Sequence, residues 1–178
     1  MFDGSAGDPA ENTAATREVV KIAHAFGATV EGEIGHVGEA ASGDNAVSDR
    51  YTTPEEAENF IAATGVDALA VAIGTAHGAY KSKPKLDIGR LREIRARVGT
   101  PLVLHGGSGL SDDDFRNTIR EGIAKVNIFT DLCVAGAGAM AESTAAGLSY
   151  LEARSARVAA IKKAVMTKIE LFGSTGKA

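Results

Sequence analysis

With 178 residues, 44% of them hydrophobic and 24% charged, the chain is long enough to bury one core and has the composition of a soluble globular domain. A net charge of −4, with no Lys/Arg cluster along any face, argues against a nucleic-acid or anionic-membrane surface. A single cysteine, Cys133, excludes an intrachain disulfide and reads as a small buried apolar residue. No run approaches the roughly 18 apolar residues of a membrane span. The start, MFDGSAGDPAEN, lacks the basic and apolar regions of a signal peptide, so the chain reads as cytoplasmic.

Ala15, Val19, Ile22 and Phe26 fall at helical spacing and Gly27 supplies a stop, predicting an amphipathic helix from about 12 to 26. His24 within it, and His36 beyond it, read as structural or solvent-facing. Residues 28–33 (ATVEGE) have strand length and lead into a long polar loop, 35–52, of the kind that is usually functional or mobile. Thr53, Pro54 and Glu56 form a capping-box signature for a helix ending near Thr64.

The continuous apolar run 67–73 (DALAVAI) fits a parallel strand covered on both faces. Leu91, Ile94 and Val98 mark the next helix, and residues 101–104 (PLVL) the next strand. Ser111 with Asp114 caps a helix carrying Phe115 and Ile119, and residues 124–128 (AKVNI) follow as a strand. Helical stretches over roughly 132–146 and 149–171 finish the chain. If Met1-Phe2-Asp3 is the stub of a strand, strands and helices alternate throughout, which implies a parallel sheet with right-handed crossovers.

Every polar signature follows a predicted strand: Asp3, Glu31 with Glu33, His77-Gly78, the turn from His105 through Gly106, Gly107 and Ser108, and Asn127 to Asp131. In a (β/α)8 barrel such ends converge on one face, whereas a doubly wound sheet gathers only those near its switch point. The breadth of the pattern favours the barrel. His77 and His105 could bind Zn2+, with Glu33 or Asp3 as acidic support; each histidine taken alone reads first as a hydrogen-bonded residue, and it is the pair, each followed by Gly at a strand end, that brings the ligand reading level with it. Glu31 and Glu33 share one strand face, which is costly in a core unless they meet a cation or water. Gly106, Gly107 and Ser108, ahead of the capped helix, form either a phosphate cradle or a tight turn.

The strings MFDGS, VEGEIGHVG, YTTPEEA, TGVDALAVAIGTAHGAYK, PKLD, PLVLHGGSG, GIAKVNI and LFGSTGKA, in that order, resemble the class II (zinc-dependent) fructose/tagatose-bisphosphate aldolase family over essentially the whole chain. The resemblance implies a single domain over 1–178, an incomplete barrel with C-terminal helices that lacks about the first three βα units; a whole barrel typically needs about 250 residues. It implies that His77 and His105 bind the catalytic zinc, and that Asp3 and Glu33 match acids able to hold a second or displaced cation. Gly78, Gly106, Gly107, Ser108, Asn127, Ile128, Phe129 and Thr130 match substrate and phosphate contacts. The loop around 35–50 matches the segment that closes over substrate.

By the family mechanism zinc polarises the carbonyl of dihydroxyacetone phosphate and stabilises the enediolate, while an aspartate moves the proton at the aldehyde-derived hydroxyl. That aspartate and a third histidine lie in a motif of the Leu-Asp-His-Gly type, a string not found in these residues. Two histidines leave zinc one ligand short of three unless Glu33 or Asp3 substitutes. Little or no activity is therefore expected of this chain alone.

Phe129 stands where fructose-bisphosphate enzymes usually carry Asp, which leaves tagatose bisphosphate or a deoxy-ketogluconate phosphate open as the sugar. Self-association is expected both from unpaired strand edges and from the family's oligomeric habit. The competing reading is a non-catalytic truncated relative that binds phosphosugar or pairs with another chain.

Overall fold

The computed structural model describes residues 1–35, 38–39, 51–78 and 84–177, with only the backbone described for Gly38, Glu39 and His77. His36 and the runs 40–50 and 79–83 lie outside the described residues. Helix α1 (Pro9–Ala25) begins one turn before the point its apolar spacing predicts, because the Asp8 carboxylate accepts from the N–H groups of Ala10 and Glu11 at 2.8 and 3.1 Å. Pro9 occupies the first turn, where no N–H partner is needed. At its other end, His24 meets Asp67 at 2.9 Å, and the same carboxylate oxygen accepts from the N–H of Val30 at 2.7 Å. His24 is thus structural, tying the helix to the sheet.

Strand β1 (Glu31–Ile34), the short β2 (Gly38–Glu39), helix α2 (Pro54–Thr64), β3 (Ala68–Val71) and β4 (Ala76–His77) follow. Then come α3 (Ile88–Arg97), β5 (Leu102–Leu104), α4 (Asp112–Arg120), β6 (Ile123–Val126), α5 (Thr130–Ala145) and α6 (Tyr150–Leu171). Both capping boxes legible in the sequence form, Thr53 with Glu56 and Ser111 with Asp114, and Ser149 with Glu152 forms a further one.

The main sheet has the order β1-β3-β5-β6 with every pair parallel, so spatial order follows chain order. β2 and β4 pair separately, also in parallel, in line with the ends of β1 and β3. The Met1–Asp3 segment contributes one backbone bond, Phe2 N–H to Glu31 C=O at 2.9 Å, on the free side of β1. It lies beside the sheet as expected without extending into a strand of its own.

Leu69, Val71, Leu102 and Leu104 point to the helices, where Phe60, Leu91, Ile94 and Phe115 meet them in one buried cluster. Full burial of such a side chain stabilises by about 1.5–3 kcal/mol. On the opposite face, by alternation and register, Glu31 and Glu33 sit level with Ala68 and Ala70.

The sheet is strongly curved. On a flat sheet β1 and β6, three spacings apart in that order, would lie about 14 Å from each other. Yet Lys125 Nζ on β6 reaches Glu31 Oε2 on β1 at 2.7 Å. Consecutive parallel order with such curvature is the arc of a (β/α)8 barrel, with Glu31 and Lys125 on its concave side.

The C-terminal helix folds back on the arc: the ring of Phe172 stacks obliquely on Phe115 at 5.1 Å between centroids, and Lys168 lies 4.6 Å over the Phe115 ring. Cys133, expected to be buried, is exposed. α5 buries only Gly136, against Ile161 and Arg157 of α6, and Ser143, and leaves Cys133 and Val134 exposed.

Thr52, fully buried, donates its hydroxyl to Ile34 C=O at 3.0 Å and accepts from Ala72 N–H at 2.9 Å, joining the ends of β1 and β3. Thr52→Val keeps the shape and strands both groups, at a cost of about 1–3 kcal/mol for each unsatisfied partner. A fall in the urea midpoint without a change in slope is the expected result.

Candidate functional site

His105, directly after β5, is the centre of the concave face. Its ring is 3% exposed and lies between two carboxylates: Nε2 is 2.9 Å from Glu31 Oε1, and Nδ1 is 2.7 Å from Glu33 Oε2. The first contact is an aligned hydrogen bond. The second is close but off the hydrogen-bonding direction, so Glu33 Oε2 is a buried oxygen without an aligned donor. Glu33 is held in place from behind, since its backbone carbonyl accepts from the buried Asn12 side chain at 2.9 Å. Sequence reasoning anticipated that Glu31 and Glu33 need a cationic or polar neighbour.

Lys125 was not anticipated as part of the site. Its Nζ bridges Glu31 Oε2 at 2.7 Å and Asn127 Oδ1 at 2.8 Å. The β5–β6 register explains why: Leu102 pairs with Ile123, but Val103 pairs with Lys125, so Ala124 is an extra residue in the strand. Without this bulge Lys125 would align with Leu104 on the helix-facing side. A run of apolar and polar residues such as AKVNI shows no sign of that shift.

His77 ends β4, and its side chain lies outside what the structure describes. Its strand nonetheless approaches the His105 turn closely. Gly106, at φ +67°, has no room for a side chain, because a Cβ there would stand 2.4 Å from the carbonyl oxygen of Ala76. The two histidine-bearing strand ends are therefore neighbours. Gly78 follows β4 with φ +91°.

Asp3 is exposed and accepts from the N–H and hydroxyl of Ser5 at 2.9 and 2.7 Å. Among the described residues no three His, Cys, Asp or Glu side chains form a ready metal-binding group, so Asp3 does not join Glu33 and His105 in one.

The glycine-rich turn spends part of its polar capacity internally. Gly107 N–H donates to Asn127 C=O at 3.2 Å, and Asn127 N–H to Leu104 C=O at 2.9 Å, which prolongs the ladder beyond the strands. The buried Ser108 hydroxyl accepts from Phe129 N–H at 3.3 Å and Asp131 N–H at 3.2 Å, capping α5 from a neighbouring loop. Ile128 packs against the core, Phe129 is 76% exposed, and Thr130 opens α5.

The sequence profile described as Fructose-bisphosphate aldolase class-II matches residues 1–177. The chain belongs to this aldolase family. Among its relatives, the uncharacterised Escherichia coli K12 protein YdjI is 45% identical over 179 residues, spanning all of this chain and 64% of that protein. The crystal structure of the E. coli YdjI aldolase superposes with a TM-score of 0.88 at 42% identity, over 100% of this chain and 62% of that one. A candidate fructose-1,6-biphosphate aldolase of Coccidioides immitis gives 0.89 at 34% identity, over 99% and 63%. The chain thus spans under two-thirds of the length of these relatives, as the arc of a barrel would.

In this aldolase arc the donors fit zinc. A carboxylate oxygen without an aligned donor beside an imidazole nitrogen is an O/N pair that a borderline-soft divalent cation accepts. Burial opposes the charged form of His105, but Glu33 and Glu31 outweigh it and raise its pKa above the usual imidazole value. Burial likewise opposes ionisation of Glu31, yet its bonds to Lys125 and His105 prevail and lower its pKa.

These shifts set a pH window for the metal-free chain. His105 contributes stability that is full below its unfolded pKa and lost as pH rises through its raised folded value. Glu31 contributes above its unfolded pKa and loses that contribution as pH falls through its lowered value. The network is fullest between the ordinary carboxylate and imidazole values. Urea midpoints measured with chelator should decline on the alkaline side of that window, and His105→Gln should flatten the decline. An unaltered profile in the variant would contradict the assignment.

Proposed function

We propose that this chain supplies the zinc-binding and phosphosugar-binding residues of an enzyme for reversible aldol cleavage of a ketose bisphosphate, of the fructose- or tagatose-bisphosphate type, to dihydroxyacetone phosphate and an aldehyde. The observation that carries the reading is the buried Glu33–His105 pair at the C-terminal ends of β1 and β5, the strands on either side of β3, in a chain of the aldolase family. When bound, zinc supplies Lewis-acid polarisation of the substrate carbonyl. His105 and Glu33 would hold it, with His77 the further ligand and Asp3 a partner for a second cation.

The chain's other residues bind and orient. Gly78, Gly106, Gly107, Ser108 and the segment Asn127 to Thr130 line the strand-end face on which a phosphorylated substrate would lie. Ser108 fixes the start of α5 there, and Asn127, tethered by Lys125, presents its amide to substrate oxygens. The exposed ring of Phe129 cannot accept hydrogen bonds from sugar hydroxyls, which favours a sugar other than fructose bisphosphate.

The Leu-Asp-His-Gly string that carries the family's proton-transferring aspartate is not in this sequence, and general acid/base transfer of that kind contributes on the order of 10² to 10⁴ in rate. Among the described residues no helix is long and apolar enough to cross a membrane, and a cytoplasmic location accords with the substrate class.

A second reading, pairing with another chain, is favoured by the exposed apolar side chains of α6, Tyr150, Leu151 and Val158. Sedimentation of the pure chain separates a monomer from a self-associated form.

The activity test uses the 178-residue chain with zinc and either fructose or tagatose bisphosphate, reading release of dihydroxyacetone phosphate. No cleavage above background is expected, together with saturable binding of dihydroxyacetone phosphate that His105→Ala weakens at least tenfold, about 1.4 kcal/mol. Cleavage that disappears in His105→Ala would show that the chain is a complete catalyst. Zinc-independent binding, untouched by the variant, would remove the metal from the reading.

A further inference from the structure

Lys168, near the end of α6, meets the rest of the protein at two points. Its Nζ lies 4.6 Å over the ring of Phe115 and 3.3 Å from Asp131 Oδ2. Both contacts lead to the glycine-rich turn after β5. The buried Phe115 ring packs against Gly107, where an added Cβ would stand 3.3 Å from the ring edge. Asp131 is bound to the next residue of the turn, donating its N–H to Ser108 Oγ at 3.2 Å. We propose that Lys168 is a positioning residue for the substrate phosphate: it neutralises Asp131 and so keeps the turn and the start of α5 receptive to an anion. This rests on the phosphosugar reading given above.

The physical argument is one of charge. Asp131 is in the first turn of α5, where a carboxylate stabilises a helix by meeting its positive end. The same carboxylate repels any anion that approaches that end or the Ser108 turn beside it. Asp131 is the one acid of that first turn, and among the described residues its ionic partner is Lys168. With the pair formed the local charge is balanced, and the partial positive charge of the helix end remains for the ligand.

The lysine is held in place. Its side chain is 21% exposed and that of Asp131 31%, so both are partly shielded from solvent ions. The Phe172 ring, tilted on Phe115 at 5.1 Å, fixes the end of the helix that carries it. The last helix of the chain is thereby joined to the two residues, Gly107 and Ser108, on which phosphate would rest.

The test measures binding of dihydroxyacetone phosphate to the zinc-supplemented 178-residue chain by calorimetry, with folding of each variant checked by circular dichroism. Lys168→Met keeps much of the alkyl stem and should weaken binding about 5- to 10-fold at low salt, and by less at high salt. Lys168→Arg keeps the charge and should bind as the wild type does. Asp131→Asn should bind more tightly than the wild type, and the double variant of Lys168→Met with Asp131→Asn should return to within about twofold of it.

That recovery distinguishes charge from packing, because the double variant lacks the same contact with Phe115 that the single variant lacks. A double variant as weak as Lys168→Met overturns the proposal, and so does unchanged affinity in Lys168→Met. Weaker binding in Asp131→Asn alone would make Asp131 a substrate contact and overturn it as well. A wild-type chain that binds no dihydroxyacetone phosphate sinks the phosphosugar reading and this proposal with it, whereas wild-type binding with unresponsive variants sinks the proposal alone.

Discussion

Two carboxylates two residues apart on one strand face must be reconciled with burial, and the concave side of this protein is organised around that requirement. Glu31 and Glu33 both point into the arc, where like charges in a low-dielectric setting repel and desolvation penalises each. His105 is inserted between them, and Lys125 takes the remaining oxygen of Glu31. The arrangement is left one partner short at Glu33 Oε2. A group whose purpose was stability would be better served by apolar packing of equal volume, so the incomplete polar cluster speaks for a ligand.

Geometry makes that cluster attainable. Residues from β1, β5 and β6 meet only because the sheet curls, and the curl is what joins side chains 74 and 94 positions apart in sequence. Thr52 joins the ends of β1 and β3, while the tight approach of Gly106 to Ala76 sets the spacing of the His77 and His105 strand ends. Each is a backbone-level constraint, which is why the site can be held rigidly although most of its functional residues sit on loops.

Much of this was legible in the amino-acid sequence. Alternating strand and helix signals with capping boxes at Thr53 and Ser111 report local chemistry and form as read. Polar residues after each apolar run pointed to one functional face, and the ordered strings pointed to the aldolase family. What escaped reading depends on non-local contacts. Lys125 joins the site through a register shift that leaves no local trace, and Cys133 is exposed on a helix, α5, that buries only Gly136 and Ser143. The start of α1 was misplaced because apolar spacing outweighed the Asp8-Pro9 signal. The Gly106–Ser108 turn reads in the sequence as either a phosphate cradle or a tight turn, and the bonds of Gly107 and Ser108 to the segment after β6 are non-local contacts that this choice could not include.

The concave face of β3 carries only methyl groups at the level of the two glutamates, Ala68 opposite Glu31 and Ala70 opposite Glu33. Because β3 lies between β1 and β5, those methyls form a low floor beneath the span from Glu31 to His105. Any longer side chain there would rise like a wedge into the gap and push the carboxylates off the ring. The alanine-rich sequence of this strand, which reads as bland core, is thus the clearance that lets a polar bridge exist above it.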